Sequence, residues 1–211
     1  MSSVAVPAAR SHWPLAALLI AAMLAALTFW VAAALPYLRF DPAQFGDLWS
    51  RRYPLLVHIA GGSVALLIGP LQLWLGATRR RLDWHRTLGT LYVVSVTVGV
   101  IGAFYLALTT AGGWIYSWGL IGLGVAWTIT TAMAYVAIRR RALDQHREWM
   151  IRSYVVTLAF VLFRALVVAF GALGVGTPGE QAALAAWFCW AVPLLLTEPV
   201  LQLRKLGAAR A

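Results

Sequence analysis

The sequence predicts an all-α integral membrane bundle of six transmembrane helices, with both termini cytoplasmic. Three observations carry this expectation. Of 211 residues, 62% are hydrophobic and only 11% are Asp, Glu, Lys or Arg, against about 25% charged residues in soluble domains. Such a chain has too little polar surface to cover a water-soluble globule. Six stretches reach the roughly 20 apolar residues that a helix needs to cross a bilayer. The basic residues punctuate those stretches and form no continuous face. The net charge of +10 therefore points to membrane topology rather than to nucleic acid.

The predicted helices cover roughly 15–35, 54–77, 87–109, 114–138, 150–172 and 181–203 of one membrane domain, 1–211. The first imitates a secretory signal, because Arg10 precedes it and "VAAALP" ends it. Its apolar core of about 21 residues exceeds the roughly 7–15 of a signal peptide, so an uncleaved anchor is expected. Pro36 to Tyr53 is the longest connection, with Asp41-Pro42 as a turn signal. Gly69-Pro70 is expected to kink the second helix and free a carbonyl near Gln72. Helices 3 and 4 are joined by little more than "TAGG", which requires an antiparallel hairpin.

Charge orients the bundle. With six alternating helices, one side collects Arg10, Arg79–Arg81, Arg86, Arg139–Arg141, Arg147, Arg152, Arg204, Lys205 and Arg210; the other has Arg39, Arg51 and Arg52. The positive-inside rule makes the first side cytoplasmic and the membrane an inner (plasma) membrane with anionic headgroups as partners. Trp30, Trp49, Trp114, Trp118, Trp187 and Trp190 fall near the outer boundary, and Trp13, Trp74, Trp84 and Trp149 near the inner one. These are the expected aromatic belts. Cys189 is alone in an apolar run, so there is no disulfide framework.

One phrase is written nearly twice, "RRRLDWHR" from Arg79 and "RRRALDQHR" from Arg139. Asp83 and Asp144 are expected N-caps, placing His85 and His146 at the second helical position. There the helix dipole disfavours an imidazolium. The repetition has two readings: duplication of a helix hairpin (2–3 and 4–5), or convergence under the positive-inside rule.

His85 and His146 are candidates for one shared inner site. A neutral imidazole suits a hydrogen bond, a metal ion or the axial position of a b-type haem. Glu198 is the carboxylate that would complete a metal site, with Glu148 as the alternative; a Glu198–Arg152 pair is the simpler expectation. His12, in a polar tail, has no assigned role.

The second constellation lies higher. Arg164 is about 14 residues into helix 5, roughly 21 Å along it, and intramembrane ionisable residues mark functional sites by default. His58 falls at similar height. No Asp or Glu lies in the outer half of any helix, and Glu180 sits only at the mouth of helix 6. Gly61, Gly62, Gly99, Gly102, Gly119, Gly122 and Gly124 mark close helix contacts. Thr128, Thr130 and Thr131 are expected to bond carbonyls of their own helix.

The order "H-x-x-G-G … G-P-x-Q", "H-R-x-x-G-x-x-Y" and "H-R-E-W-M-x-R" with a later Arg resembles the bacterial membrane proteins grouped as domain-of-unknown-function family 2306. The resemblance covers roughly residues 54 to 165. It carries over to His58, Gly62, Gln72, His85, Arg86, Gly89, His146, Arg147 and Arg164, and implies a polytopic membrane protein with no assigned activity. Three function classes therefore stand: a small haem- or metal-binding redox bundle; a ligand-binding or transport protein with an outer His58/Arg164 site; and an assembly factor binding other membrane subunits or a second copy. No nucleophile–base pair, phosphate loop or zinc-protease spacing is present.

Overall fold

The computed structural model describes residues 13–208; Arg10, His12 and Arg210 lie outside them. The described residues are almost wholly helical, with no strand. The helices are α1 (Trp13–Phe29), α2 (Pro42–Phe45), α3 (Arg52–Thr78), α4 (Leu82–Leu108), α5 (Trp114–Arg139), α6 (Leu143–Thr157), α7 (Ala159–Ala172) and α8 (Pro178–Ala208). Six passes are long and apolar enough to cross a membrane: Trp13–Arg39, Pro42–Thr78, Leu82–Leu108, Trp114–Arg139, Leu143–Ala172 and Pro178–Gly207. Most of them overrun the expected apolar cores, because the polar flanks also have good helix formers.

The first pass ends by changing pitch. A π turn, Trp30–Ala34, follows α1, and a 3₁₀ segment, Leu35–Arg39, follows it. Pro36 has no N–H to continue the α ladder. The connection expected as a loop then folds as α2 and a 3₁₀ turn, Gly46–Arg51. Asp41 caps α2 by accepting from the Ala43 N–H at 3.0 Å, with Pro42 next in line. Phe45 is buried and meets Tyr37, Phe40 and Trp49 with ring centroids 5.1–5.8 Å apart. These segments form an aromatic strap over one end of the bundle.

Pro70 frees a carbonyl on α3, which runs on as one helix from Arg52 to Thr78. It cannot donate to the carbonyl of Leu66, and the Tyr154 hydroxyl donates there instead, at 3.3 Å. The carbonyl that needed a partner is thus that of Leu66, above Gln72. Gly69 makes this pairing feasible, since a Cβ there would collide with the Tyr154 ring. Gly61 does the same for α4: its missing Cβ leaves room for the backbone of Ser95 and Gly99. Gly119 and Gly122 receive Ala186 and Trp190 of α8, while Gly124 receives Phe104. Small-residue faces of this kind let helices approach closely where lipid supplies no hydrophobic drive.

The fifth pass is not one continuous helix, as the sequence led us to expect. It breaks at Leu158 between α6 and α7. Thr157 Oγ1 donates to the Ser153 carbonyl, the back-bonding that bends helices. The same hydroxyl receives the Trp127 indole N–H and the Tyr92 hydroxyl, each at 2.9 Å. Because Thr157's own proton goes to a carbonyl, Tyr92 must donate to it. Ser153 Oγ therefore donates to Tyr92, and Thr131 to Ser153. This fixes a one-way chain through the buried core, joining α4, α5 and α6. Thr128 and Thr130 bond their own helix as expected; Thr131 instead crosses to α6.

Candidate functional site: a strap-end cavity and a histidine pair at the arginine-rich end

At the strap end, α1, α3, α4, α5 and α7 border a half-open cavity of about 280 Å³. His58, Gly62 and Arg164, all selected from sequence, line it together. Arg51, Tyr37, Tyr116, Trp127 and Phe160 line it too, and sequence reasoning had missed them. The signal was weak: Arg51 lies in "WSRRYP" and counts there only as a topology charge.

Each side chain is positioned by a local cause. His58 is brought against α4 because Gly102 has no Cβ to strike the Pro54 carbonyl or the His58 backbone. Its Nδ1–H then donates to the Gly99 carbonyl at 3.0 Å. A carbonyl only accepts, so the proton is on Nδ1, and Nε2 of the neutral ring keeps its lone pair. Phe160 packs against the imidazole with centroids 5.0 Å apart, and Trp127 meets Phe160 edge-on at 5.1 Å. Arg51 Nη1 donates to the Thr109 carbonyl at 2.9 Å, tying the strap to the end of α4. The break at Leu158 precedes Phe160, Phe163 and Arg164, all on the cavity wall. None of the cavity's lining residues is Asp or Glu.

The other end carries the two arginine phrases. Arg79, Arg81 and Arg141 turn the chain there with φ of 53°, 49° and 59°, the left-handed region that non-glycine residues seldom adopt. Asp83 and Asp144 are not N-caps. Each is the second residue of its helix, behind Leu82 and Leu143, and the cap positions are Arg81 and Ala142. Helix formation starts two residues earlier than expected, because an acidic residue is favourable anywhere in the first turn. His85 and His146 accordingly stand fourth, not second.

The two histidines do meet, as nearly perpendicular rings with centroids 6.4 Å apart. His146 Nδ1–H donates to the Ala134 carbonyl at 2.9 Å. His85 abuts Gly76, where a Cβ would lie 3.1 Å from the ring. Gln72, one turn earlier on α3, is buried at 2% exposure, and Gly89 of α4 faces its amide oxygen. Arg86 and Arg147 are exposed; Arg86 makes only a loose 3.7 Å pair with Asp83.

The expected carboxylate does not join them. Glu198 accepts from Arg152 at 2.6 and 3.1 Å and from Gln202 at 2.7 Å. Glu148 lies 3.6 Å from Arg152 and 2.9 Å from Lys205. These contacts lock α6 to α8, the simpler of the two expectations for Glu198. Among the described residues no three His, Cys, Asp or Glu side chains gather as a ligand set. The cavity offers one histidine and no second His, Met or Cys for a haem axis. The donors present therefore fit neither the metal site nor the b-type haem.

Six passes long and apolar enough to cross a membrane, with an apolar cavity at the strap end, define a small polytopic membrane protein. A family model described as Predicted membrane protein (DUF2306) matches residues 55–201, and the chain belongs to that family. The match reaches past the expected limit near 165 into α8. No curated protein and no solved structure matches.

Proposed function

We propose that this chain is one inner-membrane domain, with cytoplasmic termini, that binds an anionic amphiphile in the outer cavity. One observation carries the reading: Arg51, Arg164 and His58 converge on an apolar cavity whose lining contains no carboxylate. Arg164 is exposed at the cavity wall, and a guanidinium held at membrane depth needs an anion or dense hydration. Most of the rest of the wall is apolar, with Phe29, Leu66, Leu120 and Phe163 beside a few hydroxyls such as Ser63 and Tyr116, which suits a hydrocarbon body. At about 280 Å³ the space is at the small end for ligand pockets. It matches a headgroup with the first part of a chain, the remainder passing between helices into the outer leaflet.

The class separates from its two rivals on named contacts. The haem or metal reading lacks its donor set. The assembly reading rested on small-residue faces, and Gly61, Gly99, Gly102, Gly119 and Gly122 are all occupied within the bundle. Binding of decanoate or decyl phosphate, but not of decanol or decyltrimethylammonium, to the nanodisc-embedded protein is the expected result by native mass spectrometry. Equal uptake of the uncharged or cationic chain would sink the proposal. The orientation is tested separately, by labelling single cysteines placed at Ala111 and at Gln145 in intact cells: only the first is expected to react with an impermeant maleimide.

A further inference from the structure

The inner end holds a second, unrelated anomaly. Gln72 is 98% buried, and neither its amide oxygen nor its amide nitrogen has a hydrogen-bond partner. His85 Nδ1 is also buried without one. The Gln72 backbone also approaches the imidazole, but Nδ1 gains no hydrogen-bond partner from it. Buried polar groups in native proteins are almost always satisfied. Gln72 lies inside the end of α3 at 2% exposure, where bulk solvent does not reach its amide. Three orphaned atoms on facing sides of α3 and α4 therefore mark a place where something polar belongs.

The chemistry of the three atoms narrows the occupant. The amide supplies one acceptor and a two-proton donor, and an imidazole nitrogen is either donor or acceptor according to tautomer. No carboxylate or guanidinium is among these atoms, so the site is not built for a strongly charged ion. The walls are Gly76 and Gly89. A Cβ at Gly89 would stand 3.5 Å from Gln72 Oε1, and one at Gly76 3.1 Å from His85 Cε1. Side chains at these two positions would crowd Gln72 and His85, so glycine keeps the helices' facing surfaces small here.

We propose that Gln72 and His85 hold a buried water molecule between α3 and α4, a solvated inner site distinct from the outer cavity. Buried waters make about three hydrogen bonds to otherwise unsatisfied groups, the number these atoms offer. The water continues inward to the His85–His146 pair. His146 is already satisfied by the Ala134 carbonyl, which leaves His85 as the ring that needs solvent. The two hairpins are thereby closed in different ways: one by a direct histidine–carbonyl bond, the other through water.

A dry amide and a hydrated one predict opposite signs for one substitution. If the amide were dry, Gln72→Leu would remove two orphaned groups and raise the melting temperature. With water bound, the leucine strands it against His85, and the melting temperature falls by several degrees. The direct check is a map of the full-length protein that resolves ordered solvent. It is expected to show a peak within hydrogen-bonding distance of both the Gln72 amide and His85 Nδ1, which disappears in Gln72→Leu. A resolved site without that peak, or a leucine variant as stable as the parent, overturns the proposal. Either failure leaves the outer cavity's ligand preference untouched.

Discussion

The strap end and the arginine-rich end solve the problem of polar groups in a bilayer in opposite ways. At the strap end, two guanidiniums and an imidazole border open space: Arg51, Arg164 and His58 share a cavity of about 280 Å³ with mainly aromatic and aliphatic walls. At the arginine-rich end, charge is either paired within the bundle or exposed. Arg152 lies between Glu148 and Glu198, and Arg86 and Arg147 are exposed. What is buried there is the Gln72 amide, with the half-buried His85 ring packed against Gly76. Roominess with uncompensated charge points to a ligand, whereas tightness with a neutral orphan points to solvent.

That contrast is sharpest if the helix contacts supporting the cavity are attacked first. Gly61→Leu drives a side chain into the backbone of Ser95 and Gly99. Overpacking of this kind costs about 1–3 kcal/mol, and rigid backbone puts this site at the upper end; loss of monodisperse protein on size exclusion is expected. Next in size is Arg164→Gln. It is expected to weaken decyl phosphate binding about tenfold, roughly 1.4 kcal/mol, with an unchanged melting temperature. A binding constant equal to the parent's would remove Arg164 from the site.

Tyr92→Phe lies between the two ends and should affect stability alone. It leaves Ser153 Oγ without its acceptor and Thr157 with one donor fewer, a loss of about 1–3 kcal/mol read as a lower melting temperature with decyl phosphate affinity retained. Tyr154→Phe exposes the Pro70-freed carbonyl of Leu66 and is expected to cost about 1 kcal/mol. Smallest is Asp83→Asn. Its 3.7 Å pair with Arg86 is almost fully exposed, so no measurable change in melting temperature is expected. A large drop would mean that the phrase around His85 is held by charge and not by the packing described above.

Some of these features were legible before any fold was known. An arginine deep in helix 5 and a histidine at similar height were enough to pair Arg164 with His58, because depth along a helix follows from residue count. The same counting brought His85 to His146. What counting cannot supply is azimuth. Nothing in "WSRRYP" says that Arg51 turns to the cavity while Arg52 stacks on Trp49 and Tyr53 at 4.6 and 4.5 Å. Likewise Glu198 stood at the right height for the histidine pair but faces Arg152. The break at Leu158 was invisible too, since its cause is a hydroxyl network drawn from α4, α5 and α6, and no local breaker residue is present.

Determined by sequence alone were the solvent, the number of passes and the depth of each polar residue. These follow from apolar length and from rise per residue, which are properties of single segments. The cavity, the partner of each charge and the orphaned amide were decided by tertiary structure. They depend on which face each helix turns to its neighbours, and that is settled by glycine contacts and hydrogen bonds between segments far apart in the chain.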